Sequence, residues 1–471
     1  MSPSATMLPI IDGRPLETNL SPDGPTHVHE PARRTPVFAR AQVVVLGGGP
    51  SGIAAATAAA RAGADTLLIE RYGFLGGMGT AAGVTSFCGF WANHHGELVR
   101  IVGGVGAEVL ARLETREALR APHSIYGKTL AQAYDNAAYK CVADELVNGS
   151  GARILFHALG TGVVVEDGRV TAIFVETKSG RGAVLADVFV DASGDGDLCA
   201  NAGAAFDQSS DELAYPTLMF RMGGVDTARA LAEGKPNLRA LMMAAEASGD
   251  FRFPRRSAYI NPQPHDGEWR ANVTQLARPD GRAVDATRHA ELSDAELEGR
   301  RQVDAFFRFL TSRVPGFEKA YLLEIAPQLG IRETRRIRGA HVLSVDDVLG
   351  LRDFEDNVGL NGWPVEKHVR GDTEWTFLDG RGYHQLPWRM LVVPDLRNVL
   401  VAGRCASATH DAQASIRVSG PCFVMGEAAG LGAAMAARDR VAPAAVDVAK
   451  LQERLLEQGA TLEVKNDALS R

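Results

Sequence analysis

The residues best suited to chemistry gather in the last third of the chain. His410 stands in G-R-C-A-S-A-T-H-D (403–411), directly after the apolar run 398–402. An imidazole changes charge near neutrality, which suits a general base. Arg417 follows on the same segment, where a guanidinium would hold either an anionic substrate or a reduced flavin. His384, with Tyr383 and Arg389, lies in Y-H-Q-L-P-W-R (383–389), where polar groups either orient a substrate or pack between domains. The stretch G-I-R-E-T-R-R (330–336) carries Arg332, Arg335 and Arg336 beside Glu333. Burying guanidinium groups is costly without acids or a ligand, so these arginines read either as an ion-pair lattice or as a carboxylate-binding site. Cys405 and Cys422 either tether a cofactor or are inert buried thiols. Asp191, Asp195 and Asp197 lack the distal bidentate acid that a Ca²⁺ loop requires, and no metal is expected.

The scaffold for these groups is written between Gln42 and Arg71. Val43–Leu46 is an apolar run typical of a buried parallel strand, and Gly47, Gly49 and Gly52 complete a G-x-G-x-x-G turn. The Ala-rich stretch 53–61 then predicts a helix whose N-terminal amides point at a pyrophosphate. Thr66–Ile69 reads as a second strand, and Glu70 stands where an acid binds the adenosine ribose hydroxyls. The next residues, 71–80, are dense in glycine and include Arg71, Gly77, Met78 and Thr80. Such a loop lets backbone lie against an extended ligand, which suits FAD better than NAD. Gly104 and Gly106 resemble a second glycine fingerprint only superficially, because no acid-terminated strand follows. They read as a helix entry, leaving no second nucleotide domain for a nicotinamide.

Along the chain, 130–147 has helical periodicity, 153–157 reads as a third parallel strand, and 163–166, 169–176 and 183–187 form a three-stranded β-meander. Val188–Val190 then feeds D-A-S-G-D-G-D (191–197), whose Gly194 and Asp195 the family resemblance given below implies lie against the cofactor. From 204 to 394 the βαβ rhythm is lost, and a mixed α+β substrate domain is expected; Ser293 and Glu296 read there as a capping box opening a long helix. The strand 398–402 returns to the first domain, followed by Gly403 and Arg404 and by an apolar helix over 423–437 that starts near Gly420 and Cys422. The expected organisation is an N-terminal extension (1–40), a discontinuous FAD-binding domain (41–203 and 395–440), a substrate domain (204–394) and a C-terminal tail (441–471).

The string I-E-R-Y-G-F-L-G-G-M-G-T (69–80) resembles the bacterial FAD-dependent oxidoreductase family of the glutathione reductase structural class, whose members carry ERYGFLGGMAT-like loops. The resemblance extends to 191–197, to 330–336 and to 403–411, which is similar to the family's V-A-G-R-C-I-S-A-T-H-E motif. Two departures stand out: Arg404 replaces the aspartate of the wider class's A-G-D triplet, and Glu427 replaces a glutamine in M-G-Q-A-A-G. The resemblance implies an α/β fold with a glutathione-reductase-like Rossmann domain, a parallel sheet plus β-meander, and FAD as cofactor. It further implies hydride movement between a small organic substrate and flavin N5, with an external electron acceptor such as oxygen, quinone or a carrier protein. His410, Arg417 and His384 would be its catalytic groups. An NAD(P)H-dependent flavin monooxygenase is the alternative enzyme, and a binding protein that keeps the fold, as GDP dissociation inhibitors do, is the non-enzymatic one.

A net charge of −7 argues against a nucleic-acid or anionic-membrane surface. The five cysteines form no C-x-x-C pair, fitting a reducing cytoplasm and removing the dithiol of disulfide reductases. A basic start with a long apolar run is lacking at the N-terminus, and no uncharged stretch of membrane-spanning length occurs. A cytoplasmic protein is expected, with homo-oligomer formation left open.

Overall fold

The computed structural model describes residues 30–209 and 212–464. Strand β1 (Val37–Leu46) starts inside the stretch expected to be an extension, because residues 37–41 already pair with 183–186. Pro9, Pro15, Pro22 and Pro25 of that stretch lie outside the described residues. Helix α1 (Pro50–Arg61) follows the glycine turn, and β2 (Thr66–Ile69) runs parallel to β1 with Leu46 opposite Ile69. Helix α2 (Gly104–Glu114) opens at the second glycine pair, and α3 (Asn136–Gly149) follows. The helix expected from residue 130 is shorter, because Thr129–Ala133 is a strand paired with Ser86–Cys88. Its alternating burial outweighs the helix propensity of its alanines. Asp135 then caps α3, accepting the Ala138 amide at 2.6 Å.

Strands β3 (Arg153–Leu155), β4 (Leu159–Glu166), β5 (Arg169–Thr177) and β6 (Gly180–Asp191) complete a sheet of order β3-β2-β1-β6-β5-β4, with the strand Val399–Val401 also on β6. The expected meander strand 183–187 and parallel strand 188–190 are therefore one continuous strand. Its first half pairs antiparallel with β5, and its last residues pair parallel with 399–401. Asn398 fills the gap between these two neighbours. Its amide accepts the Val170 N–H and donates to the carbonyls of Val170 and Asp187, at 2.9–3.0 Å.

A second layer packs on this sheet's loops. Strands β7 (Phe220–Gly223), β8 (Tyr259–Pro262) and β9 (Trp269–Asn272), helix α4 (His289–Arg313) and β10 (Tyr321–Ile325) form an antiparallel sheet of order β8-β9-β7-β10 and the helix that covers it. Trp269, Phe306, Phe309 and Phe317 fill its core. The expected capping box does not open α4, which starts at His289. Ser293 instead donates to the His289 carbonyl at 2.8 Å, and Glu296 accepts the Leu329 amide at 2.8 Å.

Two C-terminal helices close the structure, α5 (His410–Ile416) and α6 (Ser419–Asp439). Beyond them, residues 448–457 form a further helix that buries Leu451 and Leu455 in the main core, so the segment expected to be a tail is packed. Among the described residues, no helix is long and apolar enough to cross a membrane.

Glu427 lies inside α6, where one carboxylate oxygen accepts the Val105 amide at 3.1 Å and the other has no partner. Burial pushes its carboxyl from about 4.5 up to about 7. A raised folded pKa contributes stability that is present below the unfolded value and lost as pH rises through the folded one. Glu427→Gln should therefore unfold at a higher temperature than the parent at pH 8, by on the order of 1–3 kcal/mol, with the gain shrinking toward pH 5. Thermal unfolding at the two pH values checks this, and equal gains at both would refute it.

Candidate active site

Three backbone segments converge on one cavity of about 480 Å³: the glycine turn after β1, the glycine-dense loop after β2, and the start of α6. Gly47 and Gly49 border it directly. Gly52 does not, because it faces the Gly47 carbonyl at a distance that leaves no room for a Cβ, which lets α1 start against the sheet. Gly49 offers α1 no side-chain cap and Pro50 has no amide hydrogen, so the bare first turn of this helix faces the cavity through Ser51. Helix α6 also lacks a side-chain cap, and its start reaches the cavity through Val418, Ser419 and Cys422. Both helix dipoles therefore present their positive ends to the same space.

Glu70 is buried at the cavity edge. One of its oxygens accepts the Gly48 amide at 2.6 Å and the other the Tyr72 amide at 2.9 Å, so it clamps the glycine turn to the following loop. Burial raises its pKa, partly offset by those two amides. Arg71, Gly77 and Met78 border the cavity beside it. Thr80 lies behind, its hydroxyl donating to the Leu75 carbonyl at 2.7 Å to shape the loop.

Gly194, Gly403 and Arg404 also border the cavity, Gly403 close against Ser51. Arg404 donates to Asp195 at 2.7 Å, and the Thr334 hydroxyl donates to the same oxygen at 2.8 Å. Burial opposes the charge of Asp195, but Arg404 and Arg71 outweigh it and keep its pKa low. Asp195 thus positions Arg404 from behind the wall. Gly420 is likewise off the wall, packed against the Gly89 carbonyl.

Two of the three expected catalytic groups are elsewhere. His384 is fully buried, with Nδ1 3.0 Å from the Gln385 carbonyl and Nε2 2.9 Å from the Asn361 amide nitrogen. Burial lowers its pKa to about 4, so both ring nitrogens of the neutral form are committed to packing. His410 opens α5 outside the cavity, with Nδ1 2.9 Å from Glu333. Glu333 also binds Arg336 and accepts the Ala214 amide, while Arg335 pairs with Asp197 at 2.9 Å. These groups form the ion-pair lattice. Tyr383 is core, and Arg389 pairs with Asp356 at the surface.

Arg417 does border the cavity, as does Arg332. They meet residues that sequence reasoning missed: Arg270 and Asn272 on β9, Trp363, Glu366, His368 and His123. Glu366 lies 3.1 Å from His368 Nε2, 3.2 Å from Trp363 Nε1 and 3.9 Å from Arg417. Burial opposes its ionisation, yet the His368 hydrogen bond and the charges of Arg417 and Arg332 outweigh that and hold it at about 2. Burial and Arg332 push His368 well below its usual range, so Glu366 is charged and His368 neutral at pH 7. The available signal was the spacing Glu366-x-His368, which puts both side chains on one face of an extended segment.

The chain matches the family model described as FAD dependent oxidoreductase over residues 42–455. No curated protein matches it. It is similar to a solved geranylgeranyl bacteriochlorophyll reductase-like protein from Thermoplasma acidophilum, at 13% identity over 90% of this chain and 84% of that one, with a TM-score of 0.46. It is also similar to p-nitrophenol 4-monooxygenase PnpA of Pseudomonas putida DLL-E4, at 14% identity over 92% and 82%, TM-score 0.39. A third is OxyS anhydrotetracycline hydroxylase from Streptomyces rimosus, at 13% identity over 88% and 64%, TM-score 0.42.

Cys88 and Cys422 both border the cavity, and burial pushes each thiol up to about 12. The thiolate is the nucleophile, so neither should form a covalent bond to a cofactor near neutral pH. Acid precipitation is expected to leave all flavin in the supernatant, and maleimide at pH 7.5 to label exposed Cys141 first. Flavin pelleting with the protein would contradict this.

Proposed function

Because the chain belongs to the FAD dependent oxidoreductase family, we propose that it oxidises a small organic molecule at a C–H bond, with FAD held at the glycine turn. When bound, FAD supplies at N5 an acceptor for the hydride, and an external acceptor such as oxygen, quinone or a carrier protein takes the electrons away. The observation that carries this reading is the continuity of the cavity, which runs from the glycine turn and Glu70 to a wall of Trp363, Glu366 and three arginines.

The residues present fit the cofactor. The uncapped first turn of α1 and the Arg71 guanidinium would hold the pyrophosphate, and Glu70 retains lone pairs for the ribose hydroxyls. Arg404 takes the edge where the wider structural class has an aspartate, and Asp195 fixes it. The start of α6 would stabilise negative charge at the ring system. It is held in place by Ser419, whose hydroxyl accepts the Cys88 amide at 2.9 Å and donates to the Cys88 carbonyl at 3.1 Å.

On the substrate side, Phe87, Tyr134 and Trp363 exclude water. His123 is on the cavity wall, where His410 is not. Burial and the charges of Lys235, Arg270 and Arg120 lower the His123 pKa to about 4, so the ring is neutral at pH 7 and fitted to hydrogen-bond a substrate rather than to take its proton. His410 is paired with Glu333 and stands off the cavity.

The purified protein should be yellow, and under anaerobic conditions its visible absorbance should be bleached by an organic compound from a panel of hydroxy acids, amines and cyclic metabolites. NADH or NADPH alone should leave it unchanged. Bleaching by NADPH that a substrate accelerates would replace this reading with a monooxygenase, and a colourless protein unable to bind FAD would leave a binding protein.

A further inference from the structure

The cavity wall opposite the glycine turn holds more positive charge than it balances. Arg270, Arg332 and Arg417 border it, and Arg255 packs directly behind. Arg255 and Arg332 share the Asn272 side-chain oxygen, at 3.2 and 3.3 Å. All four side chains are more than nine-tenths buried. Arg270 bonds only to the Val84 carbonyl and, at 3.8 Å, the Met219 sulfur. Arg332 bonds to the Tyr215 carbonyl at 2.7 Å. The Nε atoms of Arg255, Arg270 and Arg417 have no partner at all.

Among the described residues Glu366 is the one carboxylate on this side of the cavity, and it already serves His368 and Trp363. Glu333 and Asp372 act on Arg417 and Arg255 from behind the wall, but among the described residues Arg255, Arg270 and Arg332 have no carboxylate within ion-pair distance. Burying one such group without a counter-ion is expensive, and burying a cluster is more so because like charges repel. Guanidinium forks are also the groups that bind carboxylates bidentately. The surrounding wall is aromatic, with Trp363 and Trp375 rings 5.8 Å apart and Tyr259 beside them. The cofactor's phosphates would have their own cation, Arg71, beside the glycine turn, and Arg404 is matched by Asp195.

We propose that this chamber binds a small organic carboxylate with a planar or ring-shaped body, its carboxylate seated between Arg270, Arg332 and Arg417 and its ring against Trp363. The proposal rests on the oxidoreductase reading only in taking the chamber as the substrate's place, and it names the substrate class of that site.

The FAD-loaded protein is titrated with benzoate and with its neutral analogue benzamide, following the flavin difference spectrum and tryptophan fluorescence. Benzoate should bind at least tenfold more tightly. Arg270→Met and Arg417→Met should each lose tenfold or more of that affinity while keeping FAD at full occupancy. Arg270→Lys, which keeps a charge in the sheet should the methionine variant fail to fold, should lose less than Arg270→Met where both are soluble, and in any case remain weaker than the parent. Equal binding of the two probes overturns the proposal, as does loss of FAD with benzoate preference intact. Neither readout needs turnover. Failure of every organic compound to bleach the flavin would sink the redox reading and leave this one standing, whereas bleaching by a neutral alcohol with no benzoate binding would do the reverse.

Discussion

The close approach of α1 and α6 is the constraint on which the rest of the site depends. Gly426 lies against the backbone of Ser51, and Gly430 against that of Ala55, each at a separation that a Cβ would occupy. The alanines around them allow the same contact along both helices. Because the helices touch near their N-termini, their two uncapped first turns open onto one space. A larger residue at either glycine would push the helices apart, at a cost of roughly 1–3 kcal/mol, and would separate the two dipoles that the cavity brings together. Packing of small residues thus sets the electrostatics of the site.

The acidic loop after β6 is held by similar economy. Asp191, fully buried, accepts the amide and hydroxyl of Ser193 and the Cys199 amide, at 2.6–3.1 Å. Asp195 takes Arg404 and Thr334, and Asp197 takes Arg335. Each of the three aspartates has a structural partner, and the chain of contacts ties the loop to segment 330–336 and thence, through Glu333, to His410. The residues of the resemblance therefore touch one another even where they do not touch the cavity.

That explains what the sequence made legible. The strand, glycine turn, helix and acid of residues 43–70 follow from local periodicity and turn chemistry, and all lie where expected. His410 and His384 lie off the cavity because a motif marks proximity along the chain, whereas an imidazole's surroundings depend on which groups face it. Those groups, Glu333 and Asn361, are both distant in sequence. The strand at Thr129–Ala133 was hidden by helix-forming alanines whose alternation only pairing with Ser86–Cys88 makes meaningful. Arg270 and Glu366 were missed because the antiparallel strands that carry them, 269–272 in the second layer and the separate short strand 365–367, have no local signature of a ligand, and their convergence is a product of tertiary packing alone.

The choice of arginine on the chamber wall has a consequence for how the site responds to pH. A buried lysine readily gives up its proton, but a guanidinium starts so far above neutrality that burial does not discharge it. Arg255, lowered to about 10 by burial, remains cationic at pH 7. Glu366, at about 2, remains anionic, and His123, at about 4, remains neutral. None of these three groups changes charge around neutrality, whereas burial and the neighbouring arginines push Arg332 well below its usual range. The wall thus sets charged guanidinium groups and a charged Glu366 beside a neutral imidazole, a combination that one type of titratable side chain could not provide.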